Sequence, residues 1–250
     1  MKKYNIGIAL GGGGTRGFAH LGVLKALNEK KIYPDIISGT SAGAIAGAFI
    51  ASGKTPEETF EIFKNKRFAD YTRLRLPVSG FFGIEKLKKI LRENIKFKYL
   101  EELKIPLFVT ITNITKGEVE YINKGPLNKI IIASSSIPVL FSPVNIKNNL
   151  YVDGGLLDNI PVKPLARRCK KIIAVNIHPV ETSGKLDNLI RISARTFQLS
   201  LNSNIKYVKS KVDLYIEPKG IQKFNILDVK KPKELYELGY NYVKNLKIDL

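Results

Sequence analysis

The chain has 250 residues, of which 44% are hydrophobic and 25% are charged, so it can bury a core and is not disordered. Its 41 Lys and Arg residues outnumber 22 Asp and Glu residues, and the formal net charge of +19 attracts polyanions. No nucleic-acid-binding motif occurs, so nucleic acid is excluded, and we expect either an anionic membrane surface or no polyanion as partner.

Helical and strand patterns alternate along the chain, as they do in proteins with a parallel sheet and crossover helices. Strands are predicted over 4–10, 35–38, 106–114, 118–123, 144–146, 150–152, 171–177 and 212–216. Helices are predicted over 17–30, 43–53, from 55 onwards, 85–95, 127–135, 187–209 and 232–246. This order favours an α/β fold in which one three-layer domain spans 1–250, with a mainly parallel central sheet flanked by helices.

A G-T-S-A-G motif over residues 39–43 lies between the second predicted strand and the helix that follows it. This is the setting of a nucleophile elbow, in which a sharp turn lifts the serine hydroxyl clear of the sheet. Glycines on both sides are needed because a Cβ there would clash with the neighbouring strand and helix. Ser41 is therefore a candidate nucleophile, and the helix that starts beside it directs its positive end at the site.

A glycine loop over residues 11–17 separates the first predicted strand from the first helix. Backbone N–H groups in such a loop are free to stabilise an oxyanion. The loop also satisfies the G-x-G-x-x-G pattern of a dinucleotide site, but the acidic residue that should close the next strand is missing. We therefore interpret the loop as an oxyanion hole.

A third motif, D-G-G over residues 153–155, follows an apolar segment. An aspartate held at a strand end between tight glycines can approach the loop of another strand closely. The same dipeptide often marks an ordinary turn, so the motif by itself leaves both interpretations open.

The three motifs together resemble the patatin-like phospholipase family, and the small single-domain bacterial members most of all. Residues 16–24 are similar to the family's first helix, and residues 133–144 to its third sequence block. The resemblance covers a motif-bearing core of about residues 4–178, and the last quarter of the chain adds little to it.

This resemblance implies a serine acyl hydrolase that cleaves ester bonds of lipids or phospholipids through a Ser–Asp dyad. Ser41 would be the nucleophile and Asp153 its base. The implied oxyanion hole consists of the amides of Gly12, Gly13 and Gly14, and the residues that support the motifs are Arg16, Gly17, Gly39, Gly43, Gly154 and Gly155. No metal, Ca²⁺ or other cofactor is expected, because no ligand cluster or calcium-loop pattern occurs.

Three alternatives stay open at this point. The order Ser41, Asp153, His178 matches the triad order of α/β-hydrolases, so His178 is a second candidate base. The same chemistry would also serve an esterase or thioesterase that acts on soluble acyl groups. A lipid-binding regulatory module with little turnover is the third alternative, although nucleophile, base and glycine loop are all present.

The segment 67–82 mixes cations with aromatic residues and is predicted to be irregular. The residues concerned are Arg67, Phe68, Tyr71, Arg73, Arg75, Phe81 and Phe82. Such a segment suits an interfacial lid, although the aromatic side chains would equally suit a cover for the core. Because a secretory leader and an apolar run of about 20 residues are missing, we expect a cytoplasmic protein that is at most peripheral at the inner membrane face.

Overall fold

The computed structural model describes residues 3–64, 80–138, 140–179, 187–226 and 230–250. Within these residues one sheet contains eight strands. The strands are β1 (Tyr4–Leu10), β2 (Ile36–Thr40), β3 (Leu107–Asn113), β4 (Glu118–Ile122), β5 (Val144–Ile146), β6 (Asn149–Asp153), β7 (Cys169–Val175) and β8 (Leu214–Ile216). The five strands β3, β2, β1, β7 and β8 lie side by side in parallel, which confirms the mainly parallel sheet.

The antiparallel strands β4, β5 and β6 extend the sheet beyond β3. Residues 109–110 of β3 pair with both β2 and β4, and residues 111–113 pair with both β4 and β6. Since a strand has only two edges, β4 occupies one edge of β3, while β2 and β6 follow each other along the other edge. This arrangement makes the carboxyl ends of β2 and β6 meet.

The helices cover both faces of the sheet. They are α1 (Gly17–Glu29), α2 (Ala42–Ala51), α3 (Pro56–Lys64), α4 (Gly80–Asn94), α5 (Leu127–Ser134), α6 (Lys163–Ala166), α7 (Leu189–Ser200), α8 (Ile205–Lys209) and α9 (Pro232–Lys244). Side chains alternate along β1, so that Ile8 and Leu10 join the larger core with α1 and α2, while Ala9 joins a second core with α6 and α8. The predicted α/β class with helices on a central sheet is therefore confirmed.

Three details of the prediction were wrong. The helix predicted over 187–209 is two helices, because the chain turns at residues 201–204, where Leu201 is buried and Asn204 donates to Asp158. Helix α4 begins at Gly80, inside the segment predicted to be irregular, and α6 was not predicted. The rest of that segment, residues 67–79, lies outside the described residues. In the described parts of the chain, no helix is long and apolar enough to cross a membrane.

Candidate active site

Ser41 lies in the sharp turn between the end of β2 and the start of α2. Its φ of 53° and ψ of −120° are a strained conformation for a residue with a side chain. A Cβ on Gly39 would lie 2.6 Å from the carbonyl oxygen of Gly43, and one on Gly43 would lie 2.1 Å from that of Leu10. Both positions therefore require glycine, as the nucleophile-elbow motif predicts.

The shared edge of β3 brings Asp153 next to Ser41. Thr40 pairs with Thr110 in β3, and Asp153 pairs with the next residue, Ile111, from the opposite direction. The Ser41 hydroxyl lies close enough to the Asp153 carboxylate to lower the pKa of that carboxyl, and both side chains are at most 6% exposed.

The two glycines after Asp153 allow this approach. The Gly155 N–H donates to Asp153 Oδ1 at 2.8 Å. A Cβ on Gly154 would lie 2.3 Å from the carbonyl oxygen of Thr110, so a side chain there would push the aspartate away from β3. The D-G-G motif thus forms a turn and also lets two chain segments approach closely.

Burial controls the charge of Asp153. Removal from water raises the pKa of its carboxyl from 3.8 to about 7, although the hydrogen bonds from Ser41 and Gly155 act in the opposite direction. A base whose pKa lies near neutral pH is matched to proton transfer there. The same carboxyl with an ordinary pKa would be a much weaker base.

The glycine loop faces this pair across a cleft of about 260 Å³ that Gly12, Gly13 and Gly14 line together with Ser41 and Asp153. The Gly12 N–H donates to the Asn159 side chain at 2.9 Å and to the Asn159 carbonyl at 3.3 Å. The amides of Gly13 and Gly14 donate no hydrogen bond to the described part of the chain. The loop therefore presents two amides that can receive an oxyanion.

Asn159 was not among the predicted site residues. Three hydrogen bonds of the preceding residue, Asp158, hold it in place. The Thr40 hydroxyl donates to the Asp158 carbonyl at 3.1 Å, and the Asp158 carboxylate accepts hydrogen bonds from Tyr121 and Asn204. Both Asp158 and Asn159 are 1% exposed. The sequence gives only a faint signal for Asn159, namely its place a few residues after the D-G-G motif.

Arg16 connects the glycine loop to the segment 222–226. Its Nε donates to the Phe224 carbonyl at 2.8 Å, and its Nη2 donates to the Gln222 carbonyl at 3.1 Å. The Thr15 N–H adds a hydrogen bond of 2.9 Å to the Ile226 carbonyl. Gly17 lets the loop approach the elbow, because a Cβ there would lie 3.0 Å from the Ala42 Cβ. Arg16 and Gly17 thus fix the position of the glycine loop.

Neither histidine takes part in the Ser41–Asp153 pair. His20 Nε2 contacts the Gly11 carbonyl at 2.7 Å, and burial lowers the pKa of this ring to about 4. Burial lowers the pKa of His178 to about 4 as well, aided by the charges of Arg16 and Arg195. Among the described residues, Gly155 donates a hydrogen bond to the Asp153 carboxylate, Ser41 lowers its pKa and neither histidine acts on it, so a triad gains no support from this geometry.

An apolar pocket of about 430 Å³ adjoins the cleft and shares Gly14 with it. It is enclosed by the start of α1 and by α2 and α3, and its lining residues are Gly14, Thr15, Gly17, Phe18, Leu21, Ala42, Ile45, Ala46, Thr59 and Phe63. Its apolar lining suits a hydrocarbon chain that extends from a carbonyl group held at Ser41. Among the described residues, no three acidic, histidine or cysteine side chains converge as metal ligands would.

Comparison with known families places this geometry in context. The family model described as Patatin-like phospholipase matches residues 8–166, which is more than half of the chain. The chain belongs to the patatin-like phospholipase family. The matched range contains the elbow, the glycine loop and the D-G-G motif, so the resemblance drawn from these motifs is confirmed.

Two relatives match most of this chain over a smaller part of their own length. Lysophospholipase NTE1 of Kluyveromyces lactis is 28% identical over 272 residues, which cover 95% of this chain and 19% of that protein. An uncharacterized NTE family protein of Mycobacterium tuberculosis is 31% identical over 212 residues, covering 78% of this chain and 58% of that protein. The chain therefore spans about a fifth of the length of the yeast relative.

Two solved structures share the patatin-like fold. VipD from Legionella pneumophila matches with a TM-score of 0.55 at 17% identity, over 96% of this chain and 66% of that one. The type III effector protein ExoU matches with a TM-score of 0.51 at 14% identity, over 97% of this chain and 53% of that one. At these identities the likeness concerns the fold, and it agrees with the central sheet and flanking helices described above.

Proposed function

We propose that this chain hydrolyses carboxylic ester bonds of lipids, with Ser41 as nucleophile and Asp153 as the base that activates it. The observation that carries the proposal is that Ser41 and the buried Asp153 line one cleft side by side, at the meeting point of β2 and β6. A nucleophile next to its base and beside free amide donors is the arrangement that acyl transfer needs. Membership of the patatin-like phospholipase family supports the same chemistry.

The reaction proceeds in two halves. The Ser41 Oγ attacks the ester carbonyl carbon while its proton passes to the Asp153 carboxylate, and the tetrahedral intermediate collapses as the leaving alcohol takes that proton. Water then attacks the acylated Ser41 and gives a proton to Asp153. When the fatty acid leaves, this proton returns to the Ser41 oxygen, and both groups regain their starting states.

The oxyanion of each intermediate is received by the amides of Gly13 and Gly14. Gly12, which was predicted to be a third donor, already donates to Asn159, so this hydrogen bond argues against its participation. Each amide aimed at an oxyanion typically lowers the barrier by about 2.7–4 kcal/mol. Asn159 acts as a positioning residue, because it holds the peptide that precedes both donors.

The proposed substrate class is a phospholipid with a single acyl chain. The apolar pocket beside Gly14 offers one path for a hydrocarbon chain, lined by side chains such as Phe18, Ile45 and Phe63. The yeast relative carries the name lysophospholipase, which agrees with a substrate of one chain. The ester carbonyl would then lie at Ser41, with the head group toward solvent.

The test is hydrolysis of lysophosphatidylcholine and of p-nitrophenyl esters of increasing chain length by the wild type and by the variants Ser41→Ala, Asp153→Asn and Ala46→Phe. Ser52→Ala is the matched control, since this serine only caps the end of α2. Ser41→Ala should abolish hydrolysis of all esters. Ala46→Phe should shift the chain-length preference from long to short esters, because the larger side chain fills the pocket.

A different experimental result would contradict each part of the proposal. Full hydrolysis by Ser41→Ala would overturn the nucleophile and the enzyme class. Equal losses on short and long esters in Ala46→Phe would overturn the placement of the acyl chain while leaving the chemistry intact. Hydrolysis of short esters without any action on lysophosphatidylcholine would assign the chain to esterases of soluble substrates.

A further inference from the structure

A second large cavity is a groove between α4, α5 and β5. It lies at the opposite end of the sheet from β8. This groove has a volume of about 1350 Å³. Its lining residues are Ile84, Glu85, Lys88, Arg92, Ile95, Lys96, Phe97, Lys98, Pro126, Asn128, Lys129, Ile132 and Val144. None of them belongs to the cleft at Ser41, so the groove has no part in the chemistry proposed above.

The rim of the groove is strongly cationic. Among the described residues that line it, five side chains are positively charged and one, Glu85, is negatively charged. Glu85 lies 3.4 Å from Lys88, so it neutralises that lysine. Arg92, Lys96, Lys98 and Lys129 have no acidic side chain within 4 Å in the described part of the chain. Four cations thus remain to meet an anionic group at this site.

The floor of the groove is apolar. Ile95 and Ile132 are buried there, and Ile84, Phe97 and Val144 are partly buried against the main core. Among the described residues, Phe97 is the one aromatic side chain that lines the groove, so bases of a nucleic acid would find little to stack on. An apolar floor below a cationic rim instead fits an amphiphile that carries a phosphate.

The first turn of α5 adds a further attraction for a phosphate. This helix begins at Leu127 without a side-chain cap, and Asn128 and Lys129 of its first turn line the groove. The Leu127 N–H already donates to the Lys98 carbonyl at 2.9 Å, but the N-terminus of a helix also carries a partial positive charge that favours anions. Polar groups and cations therefore converge at one end of the groove.

We propose that this groove docks the chain on a bilayer that contains anionic phospholipid by taking in one lipid, whose phosphate meets the cationic rim and whose acyl chain turns out of the bilayer against the apolar floor. The unpaired cations of the rim match the phosphate of an anionic phospholipid, and the apolar floor matches its acyl chain. The inference goes beyond ester hydrolysis, since docking requires no turnover at Ser41. The bilayer would then lie beside α5, whose last residue, Ser134, accepts the Ser41 N–H at 2.9 Å.

The test is co-sedimentation with vesicles of phosphatidylcholine, with and without phosphatidylglycerol, in the Ser41→Ala background so that lipid is not consumed. The groove variant replaces Lys96, Lys98 and Lys129 with glutamine. The matched control carries Lys206→Gln, Lys211→Gln and Lys219→Gln, which remove the same charge from exposed lysines near α8 and β8. The groove variant should bind phosphatidylglycerol vesicles on the order of 100-fold more weakly, whereas the control should change by about twofold.

Two outcomes would overturn the proposal. Equal weakening in both variants would show that net charge alone attracts the chain to lipid, and unchanged binding in the groove variant would remove the groove from the interaction. Phosphatidylcholine vesicles should bind both variants and the parent alike, because they lack the anionic lipid. The groove variant with Ser41 intact should hydrolyse p-nitrophenyl butyrate at the same rate as the wild type. The docking proposal and the hydrolase proposal can therefore fail independently of each other.

Discussion

Asp153→Asn is expected to make the protein more stable at alkaline pH while it removes activity. Burial raises the pKa of the Asp153 carboxyl from 3.8 to about 7, so the native state holds this proton more tightly than the unfolded state. Between these two values the native state binds more protons, and the stability contributed by the neutral carboxyl is lost as pH rises. Asparagine is always neutral and avoids this loss.

The size of the effect follows from the same two pKa values. The interval between 3.8 and about 7 corresponds to about 4 kcal/mol of unfolding free energy, which is an upper bound. The gain of Asp153→Asn over the wild type should be near zero around pH 4 and should reach its maximum above about pH 8. Ser41→Ala should behave differently, because loss of the hydrogen bond from Ser41 raises the pKa of Asp153 further.

Urea unfolding of the wild type and both variants across this pH range measures the effect. The Ser41→Ala variant is the matched control, since it is equally inactive but keeps the carboxyl. The reasoning would be refuted if Asp153→Asn were no more stable than the wild type at alkaline pH, or if its gain were independent of pH. Either result would mean that Asp153 is ionised at little cost in the folded protein.

Four further predictions concern catalysis and folding. The value of kcat/KM should rise with pH through about 7, because only ionised Asp153 accepts the proton, and a flat profile would contradict this role. Asn159→Ala should lower kcat by about 10- to 100-fold with little change in KM, while equal changes in both would indicate a binding role. His178→Ala should keep most of its kcat, whereas Asp153→Asn should lose about 1,000-fold, and the reverse order would establish a triad. Gly43→Ala should destabilise the fold by at least about 3 kcal/mol, since its Cβ would lie 2.1 Å from the Leu10 carbonyl, and an unchanged Tm would refute the packing argument.

The motifs were predictable because their physical requirements are local. A glycine, a serine and a second glycine at a strand–helix junction specify a strained turn, and the structure has Ser41 at a φ of 53° in that turn. The neighbouring glycine loop follows the adjacent parallel strand, so both lie at the same edge of the sheet. Sequence alone therefore locates the candidate nucleophile Ser41 and the glycine loop together.

The partner of the nucleophile required information that is not local. Asp153 reaches Ser41 because β6 and β2 share one edge of β3, and no pattern in either strand states this pairing. Only the resemblance to the family supplied it. Asn159 was missed for a related reason, since its contact with Gly12 joins residues 147 positions apart in the chain. The break at Leu201 was also missed, because helical periodicity continues across it while tertiary packing ends the helix.

The central claim is that Ser41 is the nucleophile of a lipid acyl hydrolase, and covalent labelling tests it most directly. A fluorophosphonate probe followed by peptide mapping should modify Ser41 in the wild type and in Ser52→Ala, and should modify no residue in Ser41→Ala. Prior incubation with lysophosphatidylcholine should slow the labelling, because substrate and probe compete for the same hydroxyl. Labelling that persists in Ser41→Ala, or that maps to another serine, would contradict the account.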